Sequence, residues 1–183
     1  MGIAEARTRV IKSAGNFEAW IVANDNPNDD YSAGPSAHAW EIYRTGSGAL
    51  EDSNAASSPP GSSSDESNGY VTAVYRVLEA VPHSSSVHIF SANDYVVFAF
   101  SKHWLDEVWI PSGYRRADGR PLAHEAYWRL IAELRRDANL QVTAERLKSR
   151  SDWKHGDNYK RLMIRVRRAL EAYNRPRPGR DDR

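Results

Sequence analysis

The sequence predicts an α/β fold in which helices flank a five-stranded mixed sheet. Two observations point to it. Three segments with strand character come first, and strands then alternate with amphipathic helices up to the last helical segment. This order is typical of mixed sheets covered by helices. Pattern alone predicts the fold class and no more.

The first half of the chain supplies three strands. Phe17 to Ala23 is a compact apolar run that ends in a dense turn signal, which is typical of a buried strand. Ala37 to Arg44 alternates and is followed by a Gly-rich turn, so a second strand is expected. Ala49 to Ala55 has a weaker pattern and is the third. The low-complexity Ser/Pro segment 57–67 predicts a flexible surface loop.

Helices and strands alternate in the second half. A helix is expected after Gly69, because apolar residues recur there at helical spacing until Pro82. The later elements are a strand over Ser86 to Ser91, a helix capped by Asn93 or Asp94 through about His103, a helix over about Leu122 to Arg136, a strand over Leu140 to Leu147 and a helix over Gly156 to Tyr173. We expect residues 1–16 to form an N-terminal extension and residues 174–183 a disordered tail.

Composition restricts the class of protein. A chain of 183 residues is long enough for one domain with a sizeable core. The formal net charge is only +1, so a nucleic-acid surface would require segregated charge. Because cysteine is absent, disulfides and thiolate metal sites are excluded. No apolar run reaches membrane length, and the expected location is cytoplasmic without a membrane partner.

Several motifs together resemble the type 1 ribonuclease H family. The segment 89–96, IFSANDYV, is similar to the strand that carries the family's second aspartate. A second similarity is to the family's basic handle, which is resembled by Trp104, Trp109 and the segment 113–121, GYRRADGRP. Tyr127 and Trp128 resemble the residue pair that follows the handle. The segments 147–150, 155–158 and, more loosely, 20–24 and 34–40 resemble other parts of the family. The resemblance spans about Phe17 to Tyr173 and implies a ribonuclease H-like fold whose first three strands are antiparallel.

The resemblance also implies where a catalytic site would be. The family's four metal-binding carboxylates align with Asn24, Val71, Ala92 and Leu162, none of which is acidic. In the family these carboxylates hold two divalent ions that activate water. Magnesium needs oxygen ligands, so we expect no metal cofactor and no catalytic residue at these positions. Val71 and Leu162 also fall on apolar helical stripes, which indicates a role in the core.

A divergent enzyme is the alternative. Asp25, Glu66, Asp94 and Asp157 lie near the aligned positions and would have to bind Mg²⁺ or Mn²⁺ from displaced sites. Asp25 follows Asn24 directly, and a shift of one residue along a strand reverses the face. Asp94 suits the start of a helix, where a carboxylate has an ordinary capping role.

Binding residues are predicted in two basic segments. Arg115, Arg116 and Arg120 are interleaved with Trp109 and Tyr114, a combination that suits phosphate contacts and stacking. Lys148, Arg150 and Lys154 form a second group, while Arg161, Arg165 and Arg168 predict a solvated helix face. The expected function is an inactive ribonuclease H-like protein that binds RNA/DNA hybrid or double-stranded nucleic acid, or that serves as a protein-interaction or assembly module, including a homo-oligomer.

Overall fold

The computed structural model describes residues 11–24, 36–57, 66–147 and 156–174. These ranges contain five strands and four α-helices, together with a π-helical turn over Leu105–Trp109. In chain order the elements are β1 (Asn16–Asn24), β2 (Ala37–Arg44), β3 (Leu50–Ser57), α1 (Glu66–Ala80), β4 (Ser86–Ser91), α2 (Asp94–Ser101), α3 (Glu125–Asp137), β5 (Gln141–Arg146) and α4 (Gly156–Asn174). None of the described helices is long and apolar enough to cross a membrane.

The sheet is mixed, as predicted. Its strand order is β3-β2-β1-β4-β5. Strands β1, β2 and β3 pair antiparallel, whereas β4 pairs parallel with both β1 and β5. The weakly patterned third strand is therefore confirmed, and it lies at one edge. In this order the carboxyl ends of β1 and β4 are neighbours, which is where the aligned site positions of these strands fall.

Both faces of the sheet are buried around β1. Phe17, Ile21 and other residues of one parity join an apolar cluster with α1, α2 and α3. Trp20 and Val22, of the opposite parity, join a second cluster with α4. Successive side chains of a strand point to opposite faces, so a strand covered on both faces reads as one continuous apolar run. This explains the compact pattern of β1.

Some predicted boundaries shift. Strand β3 extends to Ser57 and α1 begins at Glu66, so the predicted Ser/Pro loop is shorter at both ends, and residues 58–65 lie outside the described ranges. Helix α3 begins at Glu125 rather than Leu122. His124 before it has a left-handed backbone, with φ of 57°, and the Leu122 amide donates to the Tyr114 carbonyl oxygen at 2.8 Å. Ile11, in the predicted extension, is buried in the first cluster.

Helix α4 is held on the sheet by a buried carboxylate. The Arg161 guanidinium donates to both carboxylate oxygens of Glu41 at 2.8 and 2.6 Å, and the Tyr43 hydroxyl donates to the same carboxylate at 2.8 Å. Burial raises the pKa of Glu41, but hydrogen bonds from Arg161 and Tyr43 outweigh it and the net pKa is lowered. Arg165 donates to the Ser53 hydroxyl. Arg161 nevertheless remains 45% exposed, so the helix face predicted to be solvated also provides the contacts that attach α4 to the sheet.

Candidate nucleic-acid interface and strand-end site

The strand-end site is the place where β4 ends beside the first turns of α1 and α2. We define it by Asn24, Ser67, Ser91, Ala92 and Asn93. Ile21 of β1 pairs with Ser91 of β4, so the strand ends that carry Asn24 and Ala92 run side by side. In the resemblance to ribonuclease H, Asn24 and Ala92 align with two of the four metal-binding carboxylates.

Neutral hydrogen bonds join the elements at this site. The Asn93 Oδ1 atom accepts from the Val96 amide at 3.1 Å and so caps α2. Its Nδ2 atom lies 3.4 Å from the Ser67 hydroxyl of α1, to which it donates. The Asn93 backbone amide donates to the Ser91 hydroxyl at 3.2 Å. Asn93, rather than Asp94, is thus the N-cap, and it connects β4, α1 and α2 without a charged group.

The four positions aligned with the family's carboxylates carry uncharged side chains, and three of these side chains pack in or against apolar clusters. Val71 is fully buried in the first apolar cluster, and Leu162 is fully buried in the second. Ala92 is half-buried and packs against both clusters, while Asn24 is half-buried at the end of β1. A divalent cation requires several oxygen ligands. These four side chains do not fit a two-metal site.

Two of the four displaced acids can be placed. Asp94 lies at the start of α2, and its Oδ1 atom is 3.2 Å from Arg146 Nε. Asp157 is highly exposed, with its Oδ1 atom 3.9 Å from Lys160 Nζ. Asp25 and the side chain of Glu66 lie outside the described residues. Within the described ranges, no group of three or more His, Cys, Asp or Glu residues is placed to hold a metal ion.

The arginine loop, residues 114–121, is a structured turn. Arg115 and Pro121 form an isolated β-bridge, and the Arg116 amide donates to the Arg120 carbonyl oxygen at 2.8 Å. The turn between them is closed by the Gly119 amide, which donates to the Arg116 carbonyl oxygen at 2.9 Å. Gly119 has φ of 81°, a conformation that favours glycine. The loop therefore presents its arginines from a fixed backbone.

All three arginines of the loop are exposed, but they differ in their partners. Arg115 donates to the Gly119 carbonyl oxygen at 2.9 Å, and Arg120 Nε lies 3.2 Å from a carboxylate oxygen of Asp118. Arg116 has no such partner among the described residues. Arg116 is thus the cation of this loop with most freedom to bind a phosphate.

The two aromatic residues predicted beside these arginines are buried. Trp109 is 5% exposed and Tyr114 7%. The Trp109 ring packs 4.9 Å from Trp128 and 5.0 Å from Tyr95, and the Arg129 guanidinium covers Tyr114 at 4.4 Å. Their ring faces are used inside the domain, so stacking on nucleotides would need these contacts to open. Lys148, Arg150 and Lys154 lie outside the described residues.

A buried histidine near the site was not predicted. His38 of β2 is 2% exposed, pairs with Ala23 of β1, and stacks on Trp40 at 5.8 Å. Neither ring nitrogen has a hydrogen-bond partner in the described part of the chain. Burial, with a smaller contribution from the positive charge of Arg76, lowers the pKa of His38 to about 4. The alternating pattern of β2 predicts one exposed face and therefore did not indicate that His38 is buried. In the structure, both faces of this part of β2 are covered.

A five-stranded mixed sheet in this order, with helices on both faces, is the ribonuclease H fold. Solved structures share it at TM-scores near 0.6. A crystal structure of a type 1 ribonuclease H with the type 2 active-site motif, LC9-RNase H1, matches with a TM-score of 0.64 and 12% identity over 90% of this chain and 83% of that chain. The solution structure of the PFV ribonuclease H domain gives 0.59 and 15% identity over 86% and 94%. The expected fold is confirmed.

Sequence comparisons point to the same family. The chain is 41% identical over 56 residues to ribonuclease H of Lachnoclostridium phytofermentans, covering 30% of this chain and 35% of that protein. It is 33% identical over 82 residues to ribonuclease H of Chlorobium luteolum, covering 45% and 54%. These matches therefore span about a third to just over half of the relatives' length. No protein-family model matches the chain. Sequence and fold together make this chain a relative of the ribonucleases H.

Proposed function

We propose that the protein binds RNA/DNA hybrid or double-stranded nucleic acid through a ribonuclease H fold and does not cleave it. The observation that carries the proposal is the chemistry of the four side chains that align with the family's carboxylates, which are Asn24, Val71, Ala92 and Leu162. Two of them are fully buried in apolar clusters and a third packs against both. None of the four side chains supplies a carboxylate, the oxygen ligand that a two-metal site would require.

The lack of cleavage follows from charge. Two divalent ions add four positive charges, and in a partly buried site these need carboxylates close by. Asp94 is paired with Arg146, and Asp157 is exposed beside Lys160. Asn93 joins Ser67, Ser91 and Val96 by neutral hydrogen bonds.

Binding is supported by the arginine loop. Three exposed arginines and one aspartate on a fixed turn give a local positive charge that suits phosphate groups. Recognition would rest on duplex shape, phosphates and 2′-hydroxyls rather than on base sequence. Among proteins with similar folds, the foamy viral protease-reverse transcriptase has been solved in complex with dsDNA and with RNA/DNA hybrid.

A cleavage assay tests the catalytic half of the proposal. A labelled RNA/DNA hybrid incubated with the protein and Mg²⁺ or Mn²⁺ should stay intact. Cleavage that is abolished by Asp94→Asn or Asp25→Asn would overturn the proposal and establish the divergent metal-dependent endonuclease. Asp157→Asn tests the third of these acids, and Asp137→Asn, at an exposed position of α3, is a matched control.

A binding assay tests the other half. The protein should bind hybrid or duplex at low salt, and affinity should fall steeply as salt is raised, because phosphate contacts release counterions. The combined change of Arg115, Arg116 and Arg120 to alanine should weaken binding strongly. A wild-type protein that binds neither hybrid nor duplex at low salt would contradict the proposal and favour a protein-interaction module.

A further inference from the structure

Exposed apolar side chains are concentrated in one short stretch of the domain. The described residues contain six exposed large hydrophobic side chains, and three of them lie between positions 104 and 110. Trp104 is 38% exposed, Val108 49% and Ile110 41%. Half-buried Phe98 of α2 contacts the Trp104 ring edge-on at 5.2 Å and extends the apolar surface. We call Trp104, Val108 and Ile110, with Lys102 and Glu107, the handle face.

The local backbone fixes this face outward. Leu105 and Trp109 point into the core from the π-helical turn, so Trp104 and Val108, one residue before each, are left at the surface. The turn begins after His103, whose φ is 54° and whose carbonyl oxygen accepts from the Asp106 and Glu107 amides at 3.1 and 2.8 Å. Because Leu105 and Trp109 are anchored, the exposed residues cannot turn inward without unfolding the segment.

The charges of the handle face are of both signs. Asp106 is engaged within the chain by an ion pair with Arg135 of α3. Lys102 and Glu107 are exposed, and neither forms an ion pair in the described ranges. One positive and one negative charge thus accompany an apolar centre. A face of this kind can be self-complementary. In a two-fold interface, a positive residue of one copy can contact a negative residue of the other, and the symmetry repeats that contact with the two copies exchanged.

We infer that two copies of this chain associate through their handle faces. Trp104 and Val108 form the apolar centre, and Lys102 of each copy pairs with Glu107 of the other. Aromatic residues at the centre of an interface are the usual sources of binding energy. A nucleic acid is the less suitable occupant, because residues 102–110 hold one lysine, two acids and no arginine. This inference does not rest on nucleic-acid binding by the arginine loop.

Sedimentation velocity of the full chain over a range of concentrations tests the inference. The wild type should show a monomer–dimer equilibrium, and Val108→Glu should raise its dissociation constant about tenfold or more. Ile164→Glu is the matched control, because Ile164 is 50% exposed on α4, away from this face, and should leave the equilibrium unchanged. Circular dichroism on both variants verifies that the fold is retained. A wild type that stays monomeric, or a dimer insensitive to Val108→Glu, would overturn the inference.

Charge reversal tests the proposed pairing. Glu107→Lys and Lys102→Glu should each weaken the dimer through like-charge contacts, and the double variant should restore it. A double variant that dimerises more weakly than both single variants would contradict the pairing of Lys102 with Glu107.

Titration with an RNA/DNA hybrid tests whether the handle face binds nucleic acid instead of a second copy. If Trp104→Ala abolished hybrid binding while the protein was monomeric throughout, the handle face would be a nucleic-acid surface and the inference would be wrong.

Discussion

The strand-end site and the arginine loop differ in how they are built. At the strand-end site, Ala92 packs against both apolar clusters and Asn93 connects three elements by hydrogen bonds. In the arginine loop, the backbone is fixed by its own hydrogen bonds while the arginine side chains stay exposed. Side chains at the strand-end site therefore cannot be replaced without disturbing the fold, whereas the charged side chains of the arginine loop can be replaced without disturbing it. Substitutions should affect stability at one and affinity at the other.

The largest effect is expected where α4 is attached to the middle of β2. Arg161→Ala would remove the hydrogen-bonded cation from the Glu41 carboxylate, whose side chain is 1% exposed, and leave it the Tyr43 hydroxyl and the charge of Arg165. Because Arg161 itself is 45% exposed, the expected loss is about 2 to 3 kcal/mol. Chemical denaturation should show this loss. Arg168→Ala, on an exposed position of the same helix, should stay within about 0.5 kcal/mol of wild type.

The buried histidine should make stability depend on pH. His38 has a pKa of about 4 in the folded protein and 6.5 as the ordinary value. The folded state holds it neutral while the unfolded chain binds a proton below pH 6.5, so stability should be unaffected above that pH and fall between pH 6.5 and 4. The loss attributable to His38 is about 3 kcal/mol at most.

Unfolding of wild type and His38→Phe at matched pH values isolates this contribution. The difference between the two free energies of unfolding should change across the window from pH 6.5 to 4 and be constant above it. A difference that is independent of pH would show that His38 does not remain neutral and buried.

A smaller effect is expected from a close approach of α1 to the sheet. A Cβ atom at Gly69 would lie 2.7 Å from the Ala23 Cβ and 3.4 Å from the Ala37 carbonyl oxygen. Gly69→Ala should destabilise the protein by about 1 to 2 kcal/mol, because overpacking outweighs the better helix propensity of alanine. Adding Ala23→Gly removes the clash, so a double-mutant cycle should show a favourable coupling energy. Additive effects would indicate that α1 shifts freely.

The smallest effect on stability is expected in the arginine loop. Arg116→Ala should leave the free energy of unfolding within about 0.5 kcal/mol. It should nevertheless weaken duplex binding and reduce the salt dependence of the affinity by about one counterion. Fluorescence anisotropy at several salt concentrations measures both. Lys160→Ala, an exposed cation on α4, is the control. If the affinity of wild type and Arg116→Ala had the same salt dependence, Arg116 would not be part of the binding surface.

The fold was predictable because local pattern and the resemblance agree. β1 and the helical spacing from Val71 to Leu78 are strong signals, and even the weakly patterned β3 was placed. The contact between Glu41 and Arg161 was not predictable, since the residues are 120 positions apart and each looks like a surface charge in its own element. The burial of Trp109 and Tyr114 was also missed. Aromatic residues beside arginines have the same pattern whether they stack on nucleotides or on Trp128.

The separation of Glu41 from Arg161 also bears on how the chain is made. Strand β2 leaves the ribosome early, with a carboxylate that has to be buried under a helix synthesised much later. Until position 161 has emerged from the ribosome, the face of the sheet that carries Trp20 and Val22 remains exposed to solvent and Glu41 remains hydrated. The second apolar cluster is therefore assembled only after nearly the whole domain has been translated. During that interval the nascent chain exposes an unfinished sheet, and it is then that it most needs protection from aggregation.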